Sequence, residues 1–189
     1  MHDEPSMTAA ELQQKGAQLR HSAHYAQAEH CLLRALEREH DFAAAHFELG
    51  LTYCDQQRFE DAADYLELAV HFAPHFAIAW LELGAVLGRL GRPDAALAAC
   101  EKATALEPRQ SSGWMAMGSL HKAREDWERA VECYRSAAAC APKSAEALCL
   151  LGYALFKAGD YAEARTQFDT AAQLSPDIAG SSQSRLIVA

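Results

Sequence analysis

Nine histidines and six cysteines carry most of the chain's potential for metal or nucleophilic chemistry. Eight of the histidines fall in the first 75 residues, and His71 with His75 has the four-residue spacing that sets two imidazoles on one helical turn for a shared metal ion. Pro74 stands between them and ends a helix there, so surface histidines are expected and a metal site is not. The cysteines, Cys31, Cys54, Cys100, Cys133, Cys140 and Cys149, are widely spaced, with no Cys-x-x-Cys pair and no zinc-like spacing to histidine. They read as small hydrophobes in a reducing compartment. Cys133 and Cys140 would lie about 10 Å apart on one helix, too far for a disulfide. No nucleophile, base and orienting group converge on a loop long enough to form a catalytic pocket, so neither an enzyme nor a cofactor is expected.

Bulk composition bounds the alternatives. A chain of 189 residues with 50% hydrophobic content can bury a substantial core, and the dominance of Ala and Leu over Val and Ile favours helix. The net charge of -9, with Lys and Arg scattered singly, argues against a nucleic-acid partner. No window approaches the roughly 18 apolar residues of a membrane span, and Met1-His2-Asp3-Glu4-Pro5 lacks the order of a signal peptide. No membrane insertion is expected, and a cytoplasmic location is.

Self-similarity then organises the sequence. Gly50, Gly84, Gly118 and Gly152 are spaced by 34, as are Pro74, Pro108, Pro142 and Pro176. Ala28, Ala62, Ala96, Ala130 and Ala164 form a third column, and Ala35, Ala69, Ala103, Ala137 and Ala171 a fourth. With Gly16 the register gives an N-terminal segment 1–8, five units at 9–42, 43–76, 77–110, 111–144 and 145–178, and a tail 179–189. Within a unit, apolar residues recur at three and four, as in Trp80, Leu83, Leu87 and then Leu97, Cys100, Ala103, Leu106, which predicts two amphipathic helices. Turn residues at Gly91-Arg92-Pro93-Asp94 and Gly159-Asp160 separate them. The small columns let paired helices approach closely, and each proline stops the second helix. Thr8 with Glu11 is a capping box at the first helix start.

These columns resemble the tetratricopeptide repeat family, most fully at Trp80, Leu83, Gly84, Ala96, Ala103, Pro108 and at Trp114, Met117, Gly118, Ala130, Tyr134, Ala137, Pro142. The resemblance implies an all-α, right-handed superhelical solenoid of helix-turn-helix repeats whose first helices line a concave groove. His46 takes the place of the family's packing tryptophan, and the first unit, with His40 for the closing proline, reads as a polar N-terminal cap. Clustered histidines there also suggest a weak pH response of the N-terminal half.

The family's groove positions fall on Gln13, Phe47, Leu81, Met115 and Cys149 in one row and on Ala17, Leu51, Ala85, Ser119 and Tyr153 in another. Ile78, Leu150 and Phe156 extend an apolar lining, and such a patch commonly marks an interaction site. Glu48 and Glu82 occupy equivalent positions in successive units, with Asp55 near the first, so negative potential is expected at that end, offset by Arg89, Lys122 and Lys157. A partner protein or peptide with apolar anchors and a basic residue would suit this lining. The Lys and Asn carboxylate clamp of some family members is absent, as is the asparagine ladder of others.

The leading expectation is a non-catalytic scaffold or adaptor that binds a peptide in the groove, using Phe47, Glu48, Leu51, Ile78, Leu81, Glu82, Met115, Ser119, Lys122, Cys149 and Tyr153. A targeting module of a larger glycosyl- or methyltransferase, and a secretion chaperone, are the alternatives. Association of copies through the C-terminal end, covering Tyr161, Phe168 and Leu186-Ile187-Val188, is a further expectation.

Overall fold

The computed structural model describes residues 7–175, and among these the chain forms ten α-helices and no strand. They come as hairpins: α1 (Ala9–His21) with α2 (Tyr25–Arg38), α3 (Ala43–Asp55) with α4 (Phe59–Phe72), then α5 (Ala77–Arg89) and α6 (Pro93–Leu106). The series ends with α7 (Ser111–Ala123) and α8 (Trp127–Cys140), then α9 (Ala145–Ala158) and α10 (Tyr161–Leu174). Thr8 and Glu11 complete the predicted capping box: the Thr8 N–H donates to Glu11 Oε2 at 2.7 Å and the Glu11 N–H to Thr8 Oγ1 at 3.2 Å.

One backbone position defines every hairpin turn. Ala23, Gln57, Gly91, Glu125 and Gly159 recur at the repeat interval, and all have positive φ, from 58° at Glu125 to 93° at Gly159. This left-handed turn closes the first helix and starts the second, yet only two of the five residues are the glycine that adopts it without steric cost.

The chain divides into two compact units, Met1–Ala99 and Cys100–Ala189, with the division inside α6. In the first unit α1 packs on α2, α2 on α3, α3 on α4 and α4 on α5, while α1 also touches α3. Its core is fully buried Leu12, Leu32, Leu49 and Leu66 set among alanines of the repeat columns. The glycine column has a steric cause: a Cβ on Gly50 would lie 2.7 Å from Leu66 Cγ, and one on Gly16 would lie 2.5 Å from Leu32 Cγ. Each leucine fills the space that its glycine vacates.

His46, 4% exposed, shows how an imidazole fills the position of an indole. Trp80 donates its indole N–H to the Pro74 carbonyl at 2.9 Å, and His46 Nε2 lies 2.8 Å from the equivalent His40 carbonyl. A carbonyl only accepts, so Nε2 carries the proton and Nδ1 is left bare, buried and without a hydrogen-bond partner. The ring stacks on Phe72 at 5.3 Å and lies 6.0 Å from Tyr65.

In the second unit α7 packs on α8, α8 on α9 and α9 on α10. Aromatic residues take the place of the leucines: a Cβ on Gly118 would meet Tyr134 Cε1 at 2.7 Å, and one on Gly152 would meet Phe168 Cε2 at 2.9 Å. Trp114 repeats the indole bond, to the Pro108 carbonyl at 3.1 Å. Phe168, 8% exposed, therefore belongs to the core of its own hairpin and is not a surface anchor for a second copy, as the sequence suggests. Tyr161 is 62% exposed, and Leu186-Ile187-Val188 lies outside the described residues.

Candidate functional site

In the first unit the first helices α1, α3 and α5 carry the predicted groove residues. Phe47, Glu48 and Leu51 stand on α3, and Ile78, Leu81 and Glu82 on α5. Phe47 leans on Phe76 at 4.8 Å between ring centroids, which leaves it half-buried, as are Leu51 and Leu81. Ile78 is 52% exposed, one of few large apolar side chains so open to water. The apolar residues of this face thus lie outside the core, half-buried at Phe47, Leu51 and Leu81 and exposed at Ile78.

The charged part of the face is organised by Arg20, which the sequence reading leaves out. From α1 its Nε donates to Glu48 Oε2 at 3.1 Å and its Nη1 to Asp55 Oδ2 at 3.1 Å. Arg20 and Glu48 side chains are only 13% and 14% exposed, so this pair is largely withdrawn from water, while the Asp55 side chain, at 37%, stays open to it. Burial works against the charge on Arg20, but the hydrogen bonds and fields of Asp55 and Glu48 outweigh it and raise its pKa. The expected negative end is accordingly reduced by one charge: Glu48 and Asp55 share the single cation of Arg20.

Glu82 is the third. It is half-buried on α5, and the charges that act on it are those of Arg20 and Asp55, with no hydrogen bond to its carboxylate. Burial, opposed by Arg20 and reinforced by Asp55, holds its carboxyl above the ordinary range. Cys54 adjoins it: burial first, then the fields of Glu82 and Asp55, push that thiol up to about 11, so it is not a nucleophile at neutral pH. Arg89, taken in the sequence reading as an offsetting charge, lies with its guanidinium 5.1 Å from the Phe59 ring centroid.

In the second unit Met115, Cys149 and Tyr153 are brought together as partly buried residues against the hairpin core, with Leu150 and Phe156 beside them. Ser119 is exposed and its hydroxyl lies 3.1 Å from that of Tyr134, while Lys122 is half-buried on α7. Tyr153 meets Trp127 edge-on at 5.9 Å, and Lys157 Nζ lies 5.7 Å from the Trp127 ring centroid. Lys157 is thus engaged with aromatic faces.

All six cysteines are free thiols, three buried and three half-buried. Among the described residues no group of three His, Cys, Asp or Glu side chains could hold a metal ion. No helix among them is long and apolar enough to cross a membrane.

A tetratricopeptide repeat family model matches residues 19–75 and 115–177, and a second model of the same description matches 77–120. The chain belongs to the tetratricopeptide repeat family. No curated protein sequence matches it. Among solved structures, a crystal structure of MamA superposes with a TM-score of 0.80 at 21% identity, covering 92% of this chain and 95% of that one. MamA 41-end from Desulfovibrio magneticus RS-1 gives 0.80 at 18%, covering 94% and 98%. YrrB, described as a tetratricopeptide protein with an unusual peptide-binding site, gives 0.75 at 21%, covering 89% and 87%. At these identities the likeness concerns the fold: an all-α solenoid of tetratricopeptide hairpins, an architecture that serves generally as a non-catalytic interaction module.

In the family's repeat register Arg20 and Cys54 are equivalent positions one repeat apart, as are Glu48 and Glu82.

Proposed function

We propose that this tetratricopeptide protein is a non-catalytic scaffold or adaptor that holds an extended or helical peptide of a partner protein against the first-helix face, with Phe47, Leu51, Ile78 and Leu81 receiving apolar anchors. The observation that carries this reading is the open apolar area on α5 and α3, with Ile78 at 52% exposure beside half-buried Phe47, Leu51 and Leu81. A few such anchors supply most of the affinity in peptide complexes. In the second unit, taken by itself, Met115, Cys149 and Tyr153, with Ser119 and Lys122, would make the same kind of contact. The peptide-binding site named for the similar fold of YrrB is in keeping with it. Six free thiols support a reducing, cytoplasmic setting.

Selection from a displayed library of random twelve-residue peptides tests the reading. Apolar-rich peptides are expected on the wild-type chain, with at least about a tenfold loss of affinity on Ile78→Glu and on Phe47→Glu. Circular dichroism checks that each variant keeps its helicity. Peptides that bind both variants unchanged, or no selected peptide at all, would overturn it.

A further inference from the structure

The repeat supplies an internal template for what Glu82 lacks. Arg20 reaches forward 28 residues to Glu48 in the next repeat. Cys54 and Glu82 are those same two positions carried one repeat on, again 28 residues apart, and Glu82 is among the charges that act on the Cys54 thiol. At the first station the long guanidinium of Arg20 fills the gap between the helices. At the second, the short Cys54 side chain offers no cation; the fields of Arg20 and Arg89 reach the Cys54 thiol and that of Arg20 reaches Glu82, but Glu82 remains a half-buried carboxylate without a hydrogen bond or ion pair. Ile78 precedes Glu82 by four residues and stands on the same face of α5. An exposed apolar side chain and a carboxylate without an ion pair are therefore presented side by side.

We infer that Glu82 receives a basic side chain of the bound peptide, which enters over Cys54 and takes the place that Arg20 fills one repeat earlier. The inference rests on the peptide-scaffold reading and adds the partner's chemistry: an arginine or lysine next to an apolar residue. Arginine fits better, because its planar fork can pair with a carboxylate through two N–H donors as Arg20 pairs with two carboxylates here. Desolvation raises the carboxyl above its ordinary range, and a bound guanidinium would draw it back down, so binding should weaken as Glu82 becomes protonated in acid.

The test uses the displayed twelve-residue library and one selected arginine peptide with its citrulline counterpart, which keeps the shape and removes the charge. Wild-type chain is expected to enrich Arg and Lys beside an apolar residue and to lose about tenfold affinity for the citrulline peptide. Glu82→Gln should abolish both the enrichment and the difference. Cys54→Arg, which supplies the cation from within, should do the same while apolar preference survives. Glu60→Gln, whose side chain pairs with Arg92 on exposed surface, should behave as wild type. If the citrulline penalty persists in Glu82→Gln and in Cys54→Arg while Ile78→Glu loses the peptides, the face reading stands and this inference falls. If Ile78→Glu binds as wild type, or if nothing is selected, both fall together.

Discussion

The hairpins opened by α3 and α5 occupy equivalent places in successive repeats, and three of their matching positions solve the same physical problem differently. At the packing position α3 has His46 with a buried, bare Nδ1, whereas α5 has Trp80, whose one N–H is satisfied by the Pro74 carbonyl. At the next charged position Glu48 is paired with Arg20, whereas Glu82 feels Arg20 through its field alone and makes no ion pair. At the turn, left-handed φ falls on Gln57 in one hairpin and on Gly91 in the other. The third repeat follows the family's structural pattern at the first and third positions, and departs from internal satisfaction only at Glu82. The difference teaches that the irregularities of the second repeat are structural, while the irregularity of the third lies on the face proposed here to receive a peptide.

The largest expected effect breaks the charged half of this comparison. Arg20→Met strands Glu48, which is largely shielded from water, and leaves the exposed Asp55 unpaired, and urea unfolding should show a loss of about 2 kcal/mol, between the range for exposed and fully buried pairs. Glu82→Gln should by contrast leave stability unchanged within about 0.5 kcal/mol, and in the stabilising direction, because no paired charge is lost. Equal losses in the two variants would mean that Glu48 and Glu82 are not differently placed.

The histidine sharpens the comparison through pH. Burial lowers the His46 pKa, with the bond to the His40 carbonyl opposing and the His40 charge reinforcing. As pH falls below about 6.5, the unfolded chain takes up the proton before the folded one does, so this contribution to stability is full above that pH and lost as acid titrates the buried ring. Unfolding from pH 7.5 to 5 should therefore show a steeper decline for wild type than for His46→Trp, which restores the indole bond seen at Trp80. The same slope in both would remove His46 from the account.

The smallest effect concerns the turn. Gln57→Gly should stabilise by about 0.5–1 kcal/mol by relieving a left-handed non-glycine residue, and Gly91→Ala should cost about 1 kcal/mol. Thermal melts of the two variants moving in the same direction would contradict the shared conformation.

Much of the fold was legible because the repeat register speaks through residue size: Gly50 under Leu66, the capping box at Thr8, and prolines just beyond helix ends are all visible as columns. The turns at Ala23, Gln57 and Glu125 were hidden, since the backbone imposes the left-handed conformation on residues that do not advertise it. Of the candidate face, the apolar rows could be read but their half-buried state could not, because it depends on contacts such as Phe47 with Phe76. The Arg20 pairing escaped for a related reason: it joins a long flexible side chain to carboxylates 28 and 35 residues away, and no local pattern encodes its reach. Phe168 misled because an aromatic residue on a terminal helix looks the same in sequence whether it faces water or its own hairpin.

Whether Cys54 and Glu82 stand to each other as Arg20 and Glu48 do can be measured without any partner, by a double-mutant cycle in which Cys54→Arg is made with Glu82 present and with Glu82→Gln. The account predicts a coupling of about 1–2 kcal/mol, similar to the cycle for Arg20→Met and Glu48→Gln. A coupling indistinguishable from zero, beside a clear one for Arg20 and Glu48, would show that the third repeat does not reproduce the template and that Glu82 is not an open seat for a cation.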